Sequence, residues 1–122
     1  MLRIVRAYEP VGADDGQRIL IDRLWPRGVS KSEARIDEWL KDLAPSTELR
    51  KWFGHDPSKW EQFRQRYTDE LASPDKRTLL EDVARRARHG TITLVYSARD
   101  TEHSDVKVLE ELITKAMVTG AD

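Results

Sequence analysis

Three arginines follow two β-branched runs in this sequence. Arg23 and Arg27 come after the run at 19–21, and Arg99 comes after the run at 91–96. A guanidinium group donates hydrogen bonds in a planar fork, which matches a phosphate or carboxylate group in two contacts. If the two loops converge, these arginines form a clamp for an anionic ligand.

A structural role for the same arginines is the alternative. Asp22 directly precedes Arg23, and Asp100 directly follows Arg99. Ion pairs between these acids and the arginines would pin the two loops without binding anything, since ion networks are also common away from functional sites. The sequence leaves both interpretations open.

The segment around Arg27 has the composition of a rigid turn. Pro26 restricts the backbone before Arg27, and Gly28 allows the chain to turn tightly after it. A turn that is fixed beforehand loses less entropy when it binds a ligand. We therefore include Trp25 and Gly28 with Arg27 among the candidate ligand-binding residues.

Two side chains are candidates for moving a proton, namely Asp22 and His55, because carboxylates and imidazoles are the usual general acids and bases. His103 shares a loop with Arg99 and can donate a hydrogen bond to an anion, so it is assigned to ligand binding. Ser97 is assigned there too, because it follows a predicted strand but lacks the flanking glycines of a nucleophile elbow.

Trp52 completes the set of candidate ligand-binding residues. It lies beside a turn, as Trp25 does, and either ring could pack against a planar ligand. The alternative is that both rings belong to the core, where most tryptophans at helical spacing are found.

The sequence predicts neither a metal site nor a particular cofactor. There is no cysteine, and the histidines and acids do not have the spacing of a known metal motif. No phosphate-loop or dinucleotide glycine pattern is present either. The cofactor, the substrate and the oligomeric state therefore stay undefined at this point.

Composition excludes some partners. The 122 residues contain 21 Lys and Arg against 22 Asp and Glu. This balance disfavours a nucleic-acid partner, because proteins that bind nucleic acid usually carry an excess of basic residues. No apolar run approaches the roughly 18 residues of a membrane span, and the first residues lack the apolar core of a signal peptide. We therefore expect a cytoplasmic protein with no membrane association.

Apolar spacing and turn residues predict the elements that must position these side chains. Ser30 and Glu33 match a capping box, and Ile36, Trp39 and Leu43 recur at helical spacing, which predicts a helix over 31–43. The remaining predictions are strands within 2–8, at 18–24 and at 91–96, and helices at 46–53, 57–71, 74–89 and 104–118.

This order predicts an α/β fold. The expected architecture is a single three-layer domain over 1–122, with a small, largely parallel sheet of about three strands flanked by about five helices. The long helical crossover between the strands at 18–24 and 91–96 makes that pair parallel, so their carboxyl ends meet at one edge. That edge would bring the two arginine-bearing loops together.

Four motifs resemble one known family. They are DRLWPRG at 22–28, WLKDLAPS at 39–46, LRKWFGHDP at 49–57 and YSARD at 96–100. Together they are similar to the YeaO-like family of small bacterial proteins, which is domain of unknown function 488. The resemblance extends over nearly the whole chain, and it implies no activity, substrate or cofactor.

Two functional hypotheses follow from the residues. In the first, the domain binds a small phosphate- or carboxylate-bearing metabolite at an arginine-rich cleft, either with or without converting it chemically. In the second, it is a non-catalytic module that recognises a protein or nucleic-acid partner through Trp25, Trp52 and the same arginines. A pocket that encloses the arginines favours the first, and a flat exposed surface favours the second.

Overall fold

A four-stranded, all-parallel sheet forms the centre of the protein. The computed structural model describes residues 1–120, in which the strands are β1 (Leu2–Arg6), β2 (Gln17–Leu20), β3 (Glu38–Trp39) and β4 (Ile92–Tyr96). Their spatial order is β1-β4-β2-β3. The predicted parallel pairing of the second and last strands is confirmed, with Ile19 opposite Leu94 and Leu20 opposite Val95.

Five α-helices surround the sheet. They are α1 (Lys31–Ala34), α2 (Thr47–Phe53), α3 (Trp60–Leu71), α4 (Pro74–His89) and α5 (Asp105–Thr119), with short 3-10 turns at Lys41–Leu43 and Pro57–Lys59. The α/β class and the small parallel sheet with five helices are therefore confirmed, with one strand more than expected. No helix within residues 1–120 is long and apolar enough to cross a bilayer.

The sheet is covered on both faces, as the apolar runs at 19–21 and 92–96 predict. On one face Ile19 and Leu94 belong to a larger apolar cluster with the buried residues of α2 to α5, such as Phe63. On the other face Leu20 and Val95 belong to a smaller apolar cluster. Its other members are Ala7 and the half-buried Val5, Trp25, Val29, Ile36 and Trp39.

The predicted helix over 31–43 is wrong beyond its first turn. Ser30 does cap a helix, since its hydroxyl accepts the N–H of Glu33, but the helix ends at Ala34 and Arg35 turns left-handed with φ 47°. The next residues then extend and join the sheet edge as β3. The apolar spacing misled because Trp39 faces the smaller cluster whereas Leu43 faces the larger one.

The helices predicted at 46–53 and 57–71 are confirmed as α2 and α3, the second after a short 3-10 turn. The Ser46 side chain accepts the N–H of Leu49 and starts α2, and Gly54 ends that helix in the left-handed region with φ 56°. On α3, Phe63, Tyr67 and Leu71 are buried, whereas Trp60 is half-buried. Tyr67 Oη donates to the carbonyl of Leu43, so this buried phenol has a partner.

Candidate functional site

A cleft of about 620 Å³ lies at the carboxyl edge of the sheet. We call it the carboxyl-edge cleft. Its walls come from the loop after β2, the α2 region, and the loop between β4 and the start of α5. Its lining residues are Tyr8, Asp22, Arg23, Leu24, Trp25, Pro26, Arg27, Ala44, Pro45, Arg50, Phe53, His55, Phe63, Ser97, Ala98, Arg99, Asp100, His103, Ser104 and Asp105.

The cleft gathers most of the residues that the sequence singles out. Those that line it are Asp22, Arg23, Trp25, Arg27, His55, Ser97, Arg99 and His103. Trp52 is not among them, because its ring packs under Arg66 at 4.2 Å and Lys59 at 5.2 Å. Gly28 also stands outside the lining and serves the turn, with φ 74°.

Two of the predicted arginines project into the cleft region without partners. Arg27 and Arg99 are exposed, and neither has a hydrogen bond or ion pair to any residue of the described chain. Arg23 differs from them, since its guanidinium donates to the carbonyl of Pro45 at 3.0 and 3.3 Å and to that of Ala44 at 3.4 Å. Arg23 therefore ties the loop after β2 to the segment before α2.

The ion pairs expected under the structural alternative are not formed. Asp22 accepts a hydrogen bond from Ser97 Oγ at 2.6 Å. Asp100 lies 2.8 Å from Nδ1 of His103 and also accepts the backbone N–H of that residue. Neither acid pairs with an arginine of the two loops, so Arg27 and Arg99 keep their hydrogen-bonding capacity for something else.

Trp25 holds the arginine turn in place. Its indole N–H donates to the carbonyl of Val29 at 2.6 Å, which closes the turn, and its ring meets Trp39 edge-on at 5.7 Å. Trp39 in turn donates to the carbonyl of Asp22 at 2.6 Å. The two rings thus hold the backbone on both sides of Arg23.

The two histidines occupy opposite environments in the cleft. His55 is exposed on the rim, directly after the Gly54 turn, with a left-handed backbone of φ 58°. His103 is half-buried, and its ring meets Trp60 edge-on at 5.5 Å. Hydrogen bonds from His103 to Asp100 hold the pKa of that carboxyl below its usual value.

Arg50 and Asp105 are site residues that the sequence analysis missed. Arg50 lies three residues before Phe53 on α2, so both side chains share the face toward the cleft. The three-residue spacing could therefore have predicted that Arg50 lies on the same helix face as Phe53. Asp105 is the first residue of α5, a position where an acid is explained by helix capping alone, so nothing in the sequence marked it for the cleft.

Two acids in the cleft are harder to ionise than usual. Burial raises the pKa of Asp22, and hydrogen bonds from Ser97 and the charge of Arg50 offset this only in part. Burial, together with the charge of Asp22, raises the pKa of Asp105 to about 7. Backbone N–H groups of Asp105 and Val106 and the charge of Arg50 act in the opposite direction. The two carboxylates therefore repel each other in a partly desolvated place.

Asp105→Asn is expected to stabilise the protein at pH 8 by about 1–3 kcal/mol, less than the full pKa shift because the side chain is partly exposed. An unfolded Asp has a pKa of about 3.9, so between about pH 4 and 7 the folded state holds more protons than the unfolded state. The free energy of unfolding of the natural protein therefore falls as the pH rises through this window.

Urea denaturation at pH 4 and pH 8 measures this effect. The variant and the natural protein should differ little at pH 4 and most at pH 8. Asp14→Asn, at an exposed loop residue, is the control and should show no such divergence. Equal differences at both pH values would mean that Asp105 ionises normally.

No metal centre is formed by the side chains that the structure describes. Within residues 1–120, no three His, Asp or Glu side chains converge in a way that could hold an ion.

Comparisons with known proteins identify the family. An uncharacterised protein of Mycobacterium tuberculosis H37Rv is 38% identical over 112 residues, which is 92% of each chain. The uncharacterised protein YeaO of Escherichia coli K12 is 42% identical over 107 residues, covering 87% of this chain and 90% of its own. No solved structure matches the chain significantly. A family model described as the inactive DUF488-N3 subclade matches residues 1–121, and the chain therefore belongs to that family, as its YeaO-like motifs indicate.

Proposed function

We propose that this protein binds a small anionic ligand, a phosphate- or carboxylate-bearing metabolite, in the carboxyl-edge cleft and does not transform it. One observation carries the proposal. Arg27 and Arg99 come from two separate loops, line the same cleft, and have no partner within residues 1–120. Guanidinium groups in that situation are suited to bind an anion in two-point contacts.

The shape and lining of the cleft support a small molecule over a macromolecule. Phe53 and Phe63 provide an apolar wall, and Leu24 and Tyr8 stand exposed at the mouth at 65% and 51%. A concave site with an apolar wall and a few convergent polar groups is typical of small-molecule binding. The interaction-module hypothesis lacks this support, because Trp25 and Trp52 are both engaged with neighbouring residues.

Binding without turnover is favoured by the family description, which is inactive. Asp22 and His55 remain the residues through which a proton could move, and both line the cleft. In this proposal Asp22 instead positions Ser97, whose hydroxyl it accepts at 2.6 Å. Incubation with phosphate monoesters should therefore release no inorganic phosphate, and sustained release would contradict the binding-only role.

Arg27→Lys is expected to weaken binding of pyrophosphate about tenfold, because lysine keeps the charge but loses the two-point fork. The free energy of unfolding should change by no more than about 0.5 kcal/mol, since Arg27 is exposed and has no partner in the part of the chain described. Isothermal titration with pyrophosphate and urea denaturation measure the two quantities.

Arg64→Lys is the matched control for this test. Arg64 is also exposed, but it lies on α3 and pairs with Glu111, away from the cleft. Its replacement should leave pyrophosphate binding unchanged. The proposal fails if Arg27→Lys and Arg64→Lys bind pyrophosphate equally well, or if the natural protein does not bind the anion at all.

A further inference from the structure

Asp22 and Asp105, here called the acid pair, line the same cleft, and the charge of Asp22 raises the pKa of Asp105. Both line the cleft and are partly buried, and neither makes an ion pair with any of residues 1–120. Acids that leave water are normally paired with a cation. Arg50 is the positive charge whose field reaches both, but its effect on each pKa is smaller than that of burial.

Hydrogen bonds from the protein do not saturate this acid pair. Asp22 accepts the Ser97 hydroxyl at 2.6 Å, and the backbone N–H groups of Asp105 and Val106 lower the pKa of Asp105. An ionised carboxylate has about four acceptor positions, so each acid keeps room for a further donor. All the donors named are neutral, so when both acids are ionised only the field of Arg50 offsets their negative charge.

The cleft therefore carries side chains of opposite charge that differ in exposure. Asp22 and Asp105 are half-buried in its lining, whereas Arg27 and Arg99 line it from exposed positions. A ligand that reached only the arginines would leave the acids facing each other. A ligand with a cation at its inner end would remove their mutual repulsion and receive hydrogen bonds from them as well.

We infer that the ligand is zwitterionic, with an ammonium or similar donor group held by Asp22 and Asp105 and an anionic group held by Arg27 and Arg99. This inference rests on the proposed function, because it assigns the second end of the same ligand. Phe53 and Phe63 are largely buried but belong to the lining of the cleft, so the carbon chain that joins the two ends would lie beside them.

The test compares two series of synthetic probes at pH 8, where Asp105 is largely ionised. One series consists of ω-aminoalkyl phosphates with two to five methylene groups, and the other of alkyl phosphates of the same lengths. In isothermal titration, at least one aminoalkyl phosphate should bind the natural protein about tenfold or more tightly than its amine-free counterpart, as expected for a charge-assisted contact.

Variants separate the two ends of the ligand. Asp22→Asn and Asp105→Asn should abolish the preference for the amine while leaving alkyl phosphate binding equal or stronger, since they remove negative charge from the cleft. Arg27→Gln should instead weaken both series to the same extent. Asp14→Asn, at an exposed residue outside the cleft, controls for the change in net charge and should keep the preference.

Two distinct failures can be told apart. If both series bind equally at every length and depend on Arg27, the anion site stands and the zwitterionic ligand is rejected. If neither series binds, the proposed function and this inference are both rejected. A preference for the amine that survives both Asp→Asn variants would also overturn the assignment of Asp22 and Asp105.

Discussion

Replacing Arg18 by methionine is expected to lower the free energy of unfolding by about 3–5 kcal/mol, the usual cost of removing one partner of a buried ion pair. Arg18 lies on β2 and is only 2% exposed. Its guanidinium donates to Asp15 Oδ2 at 2.5 Å and to the carbonyl of Ala34 at 3.0 Å. Methionine fills much of the same space but leaves Asp15 buried without its closest cation.

Arg3→Met is the matched control, because Arg3 approaches the other oxygen of Asp15 at 3.2 Å but is 36% exposed. Its removal should cost no more than about 1 kcal/mol, as for other solvent-accessible ion pairs. Urea denaturation at pH 7 compares the two variants. Similar losses for both would show that burial of Arg18 adds nothing to the strength of the pair.

The same network predicts how stability responds to acid. Burial alone would raise the pKa of Asp15, but the N–H of Gly12 and the guanidinium of Arg18 outweigh it and hold the pKa below its usual value. The stabilisation is therefore complete above about pH 4, near the pKa of an unfolded Asp, and is lost as the pH falls through the folded pKa. The Arg18→Met protein should lack this acid-dependent part.

Gly16→Ala is expected to destabilise the protein by about 2–5 kcal/mol, from left-handed backbone strain of about 1–2 and overpacking of about 1–3 kcal/mol. Gly16 precedes β2 with φ 63°, and a Cβ atom there would overlap the carbonyl oxygen of Thr91. That carbonyl accepts the N–H of Gln17 at 3.0 Å, so it cannot retreat without disturbing the start of the β2–β4 pairing.

Gly28→Ala separates the two causes. Gly28 also has a positive φ, 74°, but a Cβ atom there would meet nothing within 4 Å. Only the left-handed strain applies, so the loss should be near 1 kcal/mol. Thermal or urea denaturation measures the free energy of unfolding of both variants. Equal losses would mean that the Thr91 carbonyl moves away from the added methyl group at little cost in free energy.

The parallel pairing of β2 with β4 was predictable because it follows from composition and from the order of elements along the chain. The uncharged runs around Ile19 and Leu94 admit only strands covered on both faces, and a helical crossover between them makes the pair parallel. The course of the chain over 31–43 was not predictable in this way. Its apolar residues serve two different clusters, and a spacing pattern cannot show that consecutive apolar residues turn to opposite faces of a sheet.

The site was partly predictable for a related reason. Parallel strands bring their carboxyl ends to one edge, so the order of the strands along the chain suffices to place Arg27, Ser97 and Arg99 together. Their hydrogen-bond partners could not be predicted, because a charged side chain pairs with groups that are near it in the folded protein and not only with its sequence neighbours. Arg23 and Arg99 each have one acid beside them in the sequence, yet Arg23 donates to carbonyls and Arg99 has no partner among the described residues.

The segment that carries Arg23 and Arg27 has a second structural role, because it also covers one face of the sheet. It does so with half-buried side chains over Leu20 and Val95, and the cover is thin compared with the helices opposite. A segment with few buried apolar contacts can unfold locally, as a cooperative unit, at a lower free energy than the whole fold. Opening here would carry Arg27 away from Arg99, so the order of this face and occupancy of the cleft are thermodynamically linked. A ligand that bridged the two loops would therefore stabilise the smaller apolar cluster as well as fill the cleft.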